Sequence, residues 1–321
     1  MMAGLVRVRS LAKINLDLRV LNQRPDGYHD LRTVFQTVSL ADSLEIEYRP
    51  GRTSIDIKSN LSIPDNLIVK AADIIMDTTG ATGRVGFVLK KCIPLGGGLG
   101  GGSSNAAAVL LALPVLLKKP LGMEKLMELA ASLGSDVPYF LLGGTAAGLG
   151  RGTELYPLPD LPSLPALLIT PGVHVSTAKA YRALDRKLTM ANAGPMMNAF
   201  QAVAWRIGGA RTPGDWGAEN DFESVVFRQH PQLKSIKGKL LSLGARPALM
   251  SGSGSTIFGI FVSRQLRDRA DKWFRKEFAA DQVHSVSLVS RSRYRALWTR
   301  QLGVSVDNKL WPWQSRDRYA E

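Results

Sequence analysis

Apolar and polar positions alternate through much of the first ninety residues. Val6-Arg7-Val8, Leu16-Asp17-Leu18-Arg19-Val20, Leu44-Glu45-Ile46-Glu47-Tyr48, Ile55-Asp56-Ile57 and Val85-Gly86-Phe87-Val88-Leu89 each repeat with a period of two, which predicts strands. A helix interrupts them: Asp65-Asn66 supplies a cap, Leu67, Ala71, Ile74 and Ile75 share one face, and Gly80 stops the pattern. Residues 104–117 and 123–133 follow the helical period, the first closing between Pro114 and Pro120. The segment from Tyr156 to Pro165 holds four prolines and separates two halves. In the second half, residues 166–170 and 283–289 predict strands. Residues 177–184, 195–207 and 264–278 predict helices, and residues 221–243 predict one or two more, broken at Pro231. Strands and helices that do not strictly alternate give an expected class of α+β.

One segment does not fit either period. In Lys91-Cys92-Ile93-Pro94-Leu95-Gly96-Gly97-Gly98-Leu99-Gly100-Gly101-Gly102-Ser103-Ser104-Asn105, six glycines fall in seven positions and lead into two hydroxyls and an alanine-rich run. Glycine lets backbone N–H groups close on an anion with no Cβ in the way, and the helix that follows aims its positive end at the same place. Pro94, Leu95, Gly96, Gly97, Gly98, Leu99, Gly100, Gly101, Gly102, Ser103 and Ser104 are therefore the expected phosphate cradle. A charge-assisted hydrogen bond is worth about 1.5–3 kcal/mol and an exposed helix terminus about 0.3–1, so the amides dominate.

Several phosphate loops are excluded by context. Gly96, Gly98 and Gly101 satisfy G-x-G-x-x-G, but no acid ends a second parallel strand about 20 residues on, and Glu124 instead opens a helical pattern. A Walker loop needs a lysine where Gly102 runs directly into Ser103. The His-Arg-Asp and Asp-Phe-Gly segments of protein kinases are absent.

Composition narrows the class further. The 321 residues, 45% of them hydrophobic, suffice for one large or two modest domains. Cys92 is the single cysteine, which excludes an intrachain disulfide, and the four histidines show no metal-ligand spacing; a cytoplasmic location is expected. The longest apolar run is broken by Pro114 and flanked by Lys118-Lys119, so no membrane span is expected. Residues 1–9 carry arginine without acid, but the alternation at Val6 and Val8 favours a strand over a presequence. The formal net charge of +14 is spread among interleaved acids with no nucleic-acid-binding module. Steering of anionic small molecules is the expected use of that charge, with no nucleic-acid partner.

The glycine segment resembles the second signature of the GHMP family of small-molecule kinases, which phosphorylate alcohols with ATP. Two further signatures of that family stand in order, Ala12-Lys13-Ile14-Asn15-Leu16 and Met250-Ser251-Gly252-Ser253-Gly254-Ser255-Thr256-Ile257-Phe258, and the resemblance runs from about residue 5 to 290. It implies a two-domain α+β GHMP kinase fold with the active site in the inter-domain cleft. The expected domains are 1–155 and 156–290; residues 291–321 form an extension whose role the pattern does not assign, and Trp298, Trp311 and Trp313 argue against disorder and for packing on the body or on a partner.

The resemblance also implies ATP and Mg²⁺ as cofactors, with Mg²⁺ carried by the nucleotide. Ser103 or Ser104 would help hold that ion or cap the helix. Asp136, in Gly134-Ser135-Asp136-Val137-Pro138, matches the catalytic aspartate, and Lys13 the cation beside the acceptor hydroxyl. On spacing alone, Asp136 reads equally as a helix cap and Lys13 as a strand lysine reaching solvent.

Gln23-Arg24-Pro25-Asp26-Gly27-Tyr28-His29-Asp30-Leu31 and Asn220-Asp221-Phe222-Glu223 narrow the resemblance to a member whose small-molecule acceptor carries a cytidine diphosphate. Tyr28 and His29 would then meet the pyrimidine, with Tyr181 either a second aromatic wall or an ordinary packed helix residue. Asn15 touches the polyol or ribose, or else satisfies a neighbouring backbone group. Residues 170–172 and 252–255 line the cleft, the latter reaching the diphosphate or bracing the first glycine loop. Lys90, Lys91, Asn60 and Asn66 are candidates for the adenine. Alternatives are another GHMP kinase, of homoserine or mevalonate type, and a non-catalytic nucleotide-binding or nucleic-acid-binding protein. The expected state is monomer or homodimer.

Overall fold

A computed structural model describes residues 4–184 and 190–303. In chain order the elements are β1 (Gly4–Gln23), β2 (His29–Arg49), β3 (Ser54–Ser59), α1 (Leu67–Thr79), β4 (Arg84–Lys90), α2 (Gly101–Leu116), α3 (Met123–Leu133), α4 (Val137–Leu142), β5 (Thr145–Leu149) and β6 (Glu154–Pro157). There follow β7 (Pro165–Ile169), α5 (Thr177–Leu184), α6 (Met190–Gly209), α7 (Glu223–Gln229), α8 (Pro231–Ser242), β8 (Ala248–Met250), β9 (Ile257–Ile260), α9 (Arg264–Glu277), β10 (Val283–Ser287) and α10 (Arg291–Leu302). The first sheet runs β3-β4-β2-β5-β6 with β1 on the other edge of β2; the second runs β10-β7-β9-β8. The class is α+β, as the pattern predicts.

The long strand β1 joins what the sequence divides. Val6, Val8 and Leu11 enter a core with α1, α2 and α4; Ala12, Ile14 and Leu16 enter a second core with Phe258 and Ile260; Leu18 and Val20 enter a third around Phe222 and Leu233. Its middle is buried on both faces, polar residues included, so alternation vanishes there and the sequence shows two short strands instead of one. Register shifts interrupt the β1–β2 ladder between Leu11 and Lys13 and between Asn15 and Asp17, isolating the two functional candidates between irregularities.

Helix α2 is buried all round from Ser104 to Pro114, which is the property of a central helix. It begins at Gly101, three residues before the expected start, because Gly100 adopts φ +68 at the N-cap. Neither Ser103 nor Ser104 caps it, since that cap makes no side-chain hydrogen bond. Pro114 lies in the last turn, where it can donate no bond to the preceding turn, and the helix closes at Leu116, within the expected interval. Pro231 does break residues 221–243 into two helices, taking the first position of α8, where its missing N–H costs nothing.

Three elements, β5, β6 and α10, have no counterpart in the pattern; α4 starts at the Asp136 that also reads as a cap, and β8 and β9 flank the third signature. The extension beyond residue 290 opens as α10, whose Tyr294 and Trp298 are fully buried against the first core. Trp311 and Trp313 lie outside the described residues.

Candidate active site

β1 carries Lys13 and Asn15 to the centre of the molecule, and α4 begins beside them. Lys13 is only 3% exposed, yet its Nζ stands 3.3 Å from Asp136 Oδ2. The ammonium also donates to Asn15 Oδ1 at 2.7 Å. Asn15 Nδ2 donates to Thr33 Oγ1 at 2.8 Å, and Thr33 donates to the Asp17 carbonyl at 2.7 Å. Phe35 lies beneath the ammonium, its ring centre 5.4 Å away. A buried cation persists only when paired and hydrogen-bonded, and this chain of contacts supplies both. Asp136 occupies the N-cap position of α4 but caps no amide, and Pro138 removes one donor it would serve. Its carboxylate, about a third exposed, faces Lys13 instead.

The glycine loop is built by tying its carbonyls backwards. Gly97 O accepts from Thr256 N at 3.3 Å, Gly98 O from Ser251 Oγ at 2.9 Å, and Leu99 O from Lys13 N at 3.0 Å. In a planar trans peptide the N–H points opposite to the C=O, so the amides of Gly98, Leu99 and Gly100 turn away from these partners. The first helical bond of α2 runs from Ser104 N to Gly100 O, leaving the amides of Gly101, Gly102 and Ser103 as orphan donors of the helix start. Two glycines are dictated by space. A Cβ on Gly98, at φ +75, would stand 2.0 Å from Ser251 O; one on Gly100 would meet the Phe140 ring at 2.9 Å and Lys13 Cε at 3.2 Å. Ser251 and Thr256 of the third signature thus brace the glycine loop from either side of residues 252–255.

Behind the loop, Lys91 and Asp42 form a buried ion pair at 2.8 Å. Asp42 Oδ1 accepts the amides of Cys92 and Ile93, each at 2.7 Å. Burial pulls the Lys91 amine below its ordinary value, and Asp42 opposes this. Asn60 bonds the Lys91 backbone on both sides, and Asn66 caps α1 through Ile68 N. Lys91, Asn60 and Asn66 are therefore engaged in holding backbone.

A cavity of about 960 Å³ gathers most of the candidates: Lys13, Asn15, Asp136, Gly96, Gly98, Gly100 and Ser103 with Tyr28, His29 and Tyr181. Pro94, Leu95 and Gly97 line an adjoining space of about 250 Å³ together with Thr170, Gly172 and Ser255. Leu99 points its side chain into the second core and offers only backbone. Gly101 packs on Lys91 Nζ. Ser104 is buried with its hydroxyl donating to the Leu11 carbonyl at 2.6 Å, which leaves Ser103 as the hydroxyl facing the cavity.

The aromatic end is already stacked. His29 and Tyr181 lie nearly parallel with ring centres 4.7 Å apart, and Phe222 meets Tyr181 edge-on at 4.8 Å. Burial, with the negative charge of Asp136 second, pushes the Tyr181 hydroxyl up to about 12, so it stays neutral. Tyr28 is half exposed, and Arg151 covers one of its faces at 3.6 Å. Arg151 and His174 both line the cavity without having been singled out in the sequence. Gly150-Arg151-Gly152 carries a signal in retrospect, since a cation between two positive-φ glycines marks a tight turn presenting a charge. His174 carries none.

Two family descriptions match the chain: the GHMP kinases N terminal domain at residues 66–144 and the GHMP kinases C terminal at residues 189–280. A 4-diphosphocytidyl-2-C-methyl-D-erythritol kinase of Solibacter usitatus is 51% identical over 314 residues, covering 96% of each chain. One of Syntrophus aciditrophicus is 40% identical over 271 residues, 83% of this chain and 94% of that one. A crystal structure of 4-(cytidine 5'-diphospho)-2C-methyl-D-erythritol kinase superposes with a TM-score of 0.72 at 36% identity, over 88% of this chain and 98% of that one. With its glycine cradle and its lysine–aspartate contact in one cavity, the chain belongs to the GHMP kinases, in the family of the 4-diphosphocytidyl-2-C-methyl-D-erythritol kinases.

Proposed function

We propose that this protein transfers the γ-phosphoryl group of ATP to the 2-hydroxyl of 4-diphosphocytidyl-2-C-methyl-D-erythritol, giving the 2-phosphate and ADP, in non-mevalonate isoprenoid precursor synthesis. The observation that carries this reading is the 3.3 Å contact of Lys13 with Asp136 in the same cavity as the glycine cradle and the Tyr28, His29 and Tyr181 rings. Phosphoryl transfer asks a protein mainly for positioning and for charge placed where the transition state needs it. Asp136 orients the acceptor hydroxyl and takes its proton as the oxygen–phosphorus bond forms and the bond to ADP breaks. Lys13, its ammonium 3.3 Å from that carboxylate, polarises the acceptor oxygen. Asn15, pinned between Lys13 and Thr33, fixes the ammonium and presents its amide edge to the polyol.

The loop amides grip the triphosphate. Mg²⁺ would arrive on the phosphates, with the Ser103 hydroxyl that faces the cavity beside it. Bound there, the ion would neutralise phosphate charge. Tyr28, His29 and Tyr181 take the pyrimidine, and the positive charge of the chain draws in both anionic substrates. A division into domains 1–155 and 156–290 follows the two sheets approximately: β6 carries the first sheet on to Pro157, and α10 adds Tyr294 and Trp298 to the first core. Among the described residues no helix is long and apolar enough to cross a membrane; a cytoplasmic monomer or homodimer completes the reading.

Incubation of the purified protein with ATP, Mg²⁺ and a panel of alcohols tests it. ADP release is expected with the cytidine-bearing acceptor and at least about a hundredfold slower with homoserine or mevalonate, whose lack of a pyrimidine leaves the aromatic wall unused. Equal rates across the panel, or none, contradict it.

A further inference from the structure

We propose that Asn220 is a positioning residue for the nucleotide, acting through Ser251 on the glycine loop; this rests on reading that loop as the triphosphate site. The segment Asn220-Asp221-Phe222-Glu223 lies along β1, where Leu18 N donates to Glu219 O at 2.8 Å and Asp221 N to Leu18 O at 3.0 Å. Asn220 is 4% exposed and uses its whole amide. Nδ2 donates to Met250 O at 2.7 Å and to Gly252 O at 2.8 Å, and Oδ1 accepts from Phe222 N at 2.9 Å. Glu223 reinforces the same turn, accepting Met250 N at 2.8 Å while paired with Lys237.

One amide thereby holds two carbonyls that flank a single residue, Ser251. The hydroxyl of that residue donates to Gly98 O, and its oxygen stands 3.3 Å from the donating Asn15 N. Because the Gly98 carbonyl is drawn to Ser251, the Leu99 N–H is turned the opposite way. The orientation of a cradle amide is thus set by a side chain that touches no substrate. The Asn15 side chain is held separately by Lys13 and Thr33, so releasing Ser251 disturbs the phosphate side first. Only asparagine or glutamine brings two donors and an acceptor on one planar group, and aspartate would face both carbonyls with oxygen.

Dissociation constants for ATP and, separately, for CDP, measured by calorimetry on wild type, Asn220→Asp, Ser251→Ala and the double variant, test this without an acceptor alcohol. Each single substitution is expected to weaken ATP about tenfold, the size of one buried polar group left unsatisfied, with CDP within about twofold. The double variant should stay within about twofold of the weaker single, because the two residues act in series. Unchanged ATP affinity, equal loss of both nucleotides, or fully multiplied effects overturn the proposal. If Asn220→Asp does not fold, Ser251→Ala, which removes one oxygen, decides alone: unchanged ATP affinity overturns the role and a selective tenfold loss supports it. A wild-type protein that binds CDP and no ATP would overturn the reading of the loop itself.

Discussion

Lys13 shows how burial changes what a residue does. An ammonium on a strand ordinarily reaches water, but here it is enclosed, and its contacts to Asn15 and Asp136 replace solvent. Sequence spacing could not separate the two outcomes, since the partner Asp136 arrives from a remote helix start that by itself reads as a cap. Tyr28 is the opposite case, a large ring left half exposed with Arg151 lying on one face. Removing that ring should cost the acceptor and spare the nucleotide. For Tyr28→Ala, steady-state kinetics should give a KM for the cytidine acceptor raised about tenfold or more, the scale of one lost aromatic stacking platform, with the KM for ATP within twofold. An unchanged acceptor KM removes Tyr28 from the pocket.

At the scale of elements, the glycine loop is the best-written feature of the chain, because its composition serves no other purpose. Its supports are not written there. The carbonyl ties to Thr256, Ser251 and Lys13 come from segments before and after it, and only the fold brings them together. Gly98→Ala should keep the fold and raise the KM for ATP at least about tenfold, since the αL conformation alone costs an alanine about 1–2 kcal/mol and Ser251 O blocks the methyl. Circular dichroism with ATP kinetics checks both halves.

Strand β10 gives a second element-scale test. Burial, with the Arg275 charge of α9 second, holds the His284 imidazole below its usual value of 6.5. The folded state then binds fewer protons than the unfolded state below that value, so stability is present above it and lost as pH falls through the folded pKa. The thermal midpoint of wild type should therefore fall more steeply than that of His284→Gln between about pH 6.5 and pH 5. Parallel curves would mean His284 titrates alike in both states.

For the whole molecule, alternation revealed strands wherever one face met solvent and lost them where both were covered. That is why the outer part of β1 is legible and its centre is not, and why β5, largely buried, leaves no alternation to read. The tail's role is hard to read for a related reason: a helix rich in arginine shows little amphipathic pattern, yet α10 sends Tyr294 and Trp298 into the first core, one of the two placements its tryptophans suggest. The Tyr294 hydroxyl donates to Phe140 O at 2.6 Å, over a Gly143 that could carry no side chain. The first core is therefore completed by residues beyond 290. Trp298→Ala should destabilise the protein by about 3–5 kcal/mol, read as a lower denaturant midpoint with an unchanged slope. A change below about 0.5 kcal/mol would mean α10 does not support that core.

These scales meet at the contact between Lys13 and Asp136. Single-turnover phosphorylation of the cytidine-bearing acceptor, with ATP and acceptor affinities measured on the same preparations, tests it directly in Asp136→Asn and Lys13→Met. The account predicts a chemical step at least about a hundredfold slower in each, as loss of a positioned proton acceptor or its cation implies, with ATP bound within about threefold of wild type. A chemical step within threefold of wild type in either variant would contradict it.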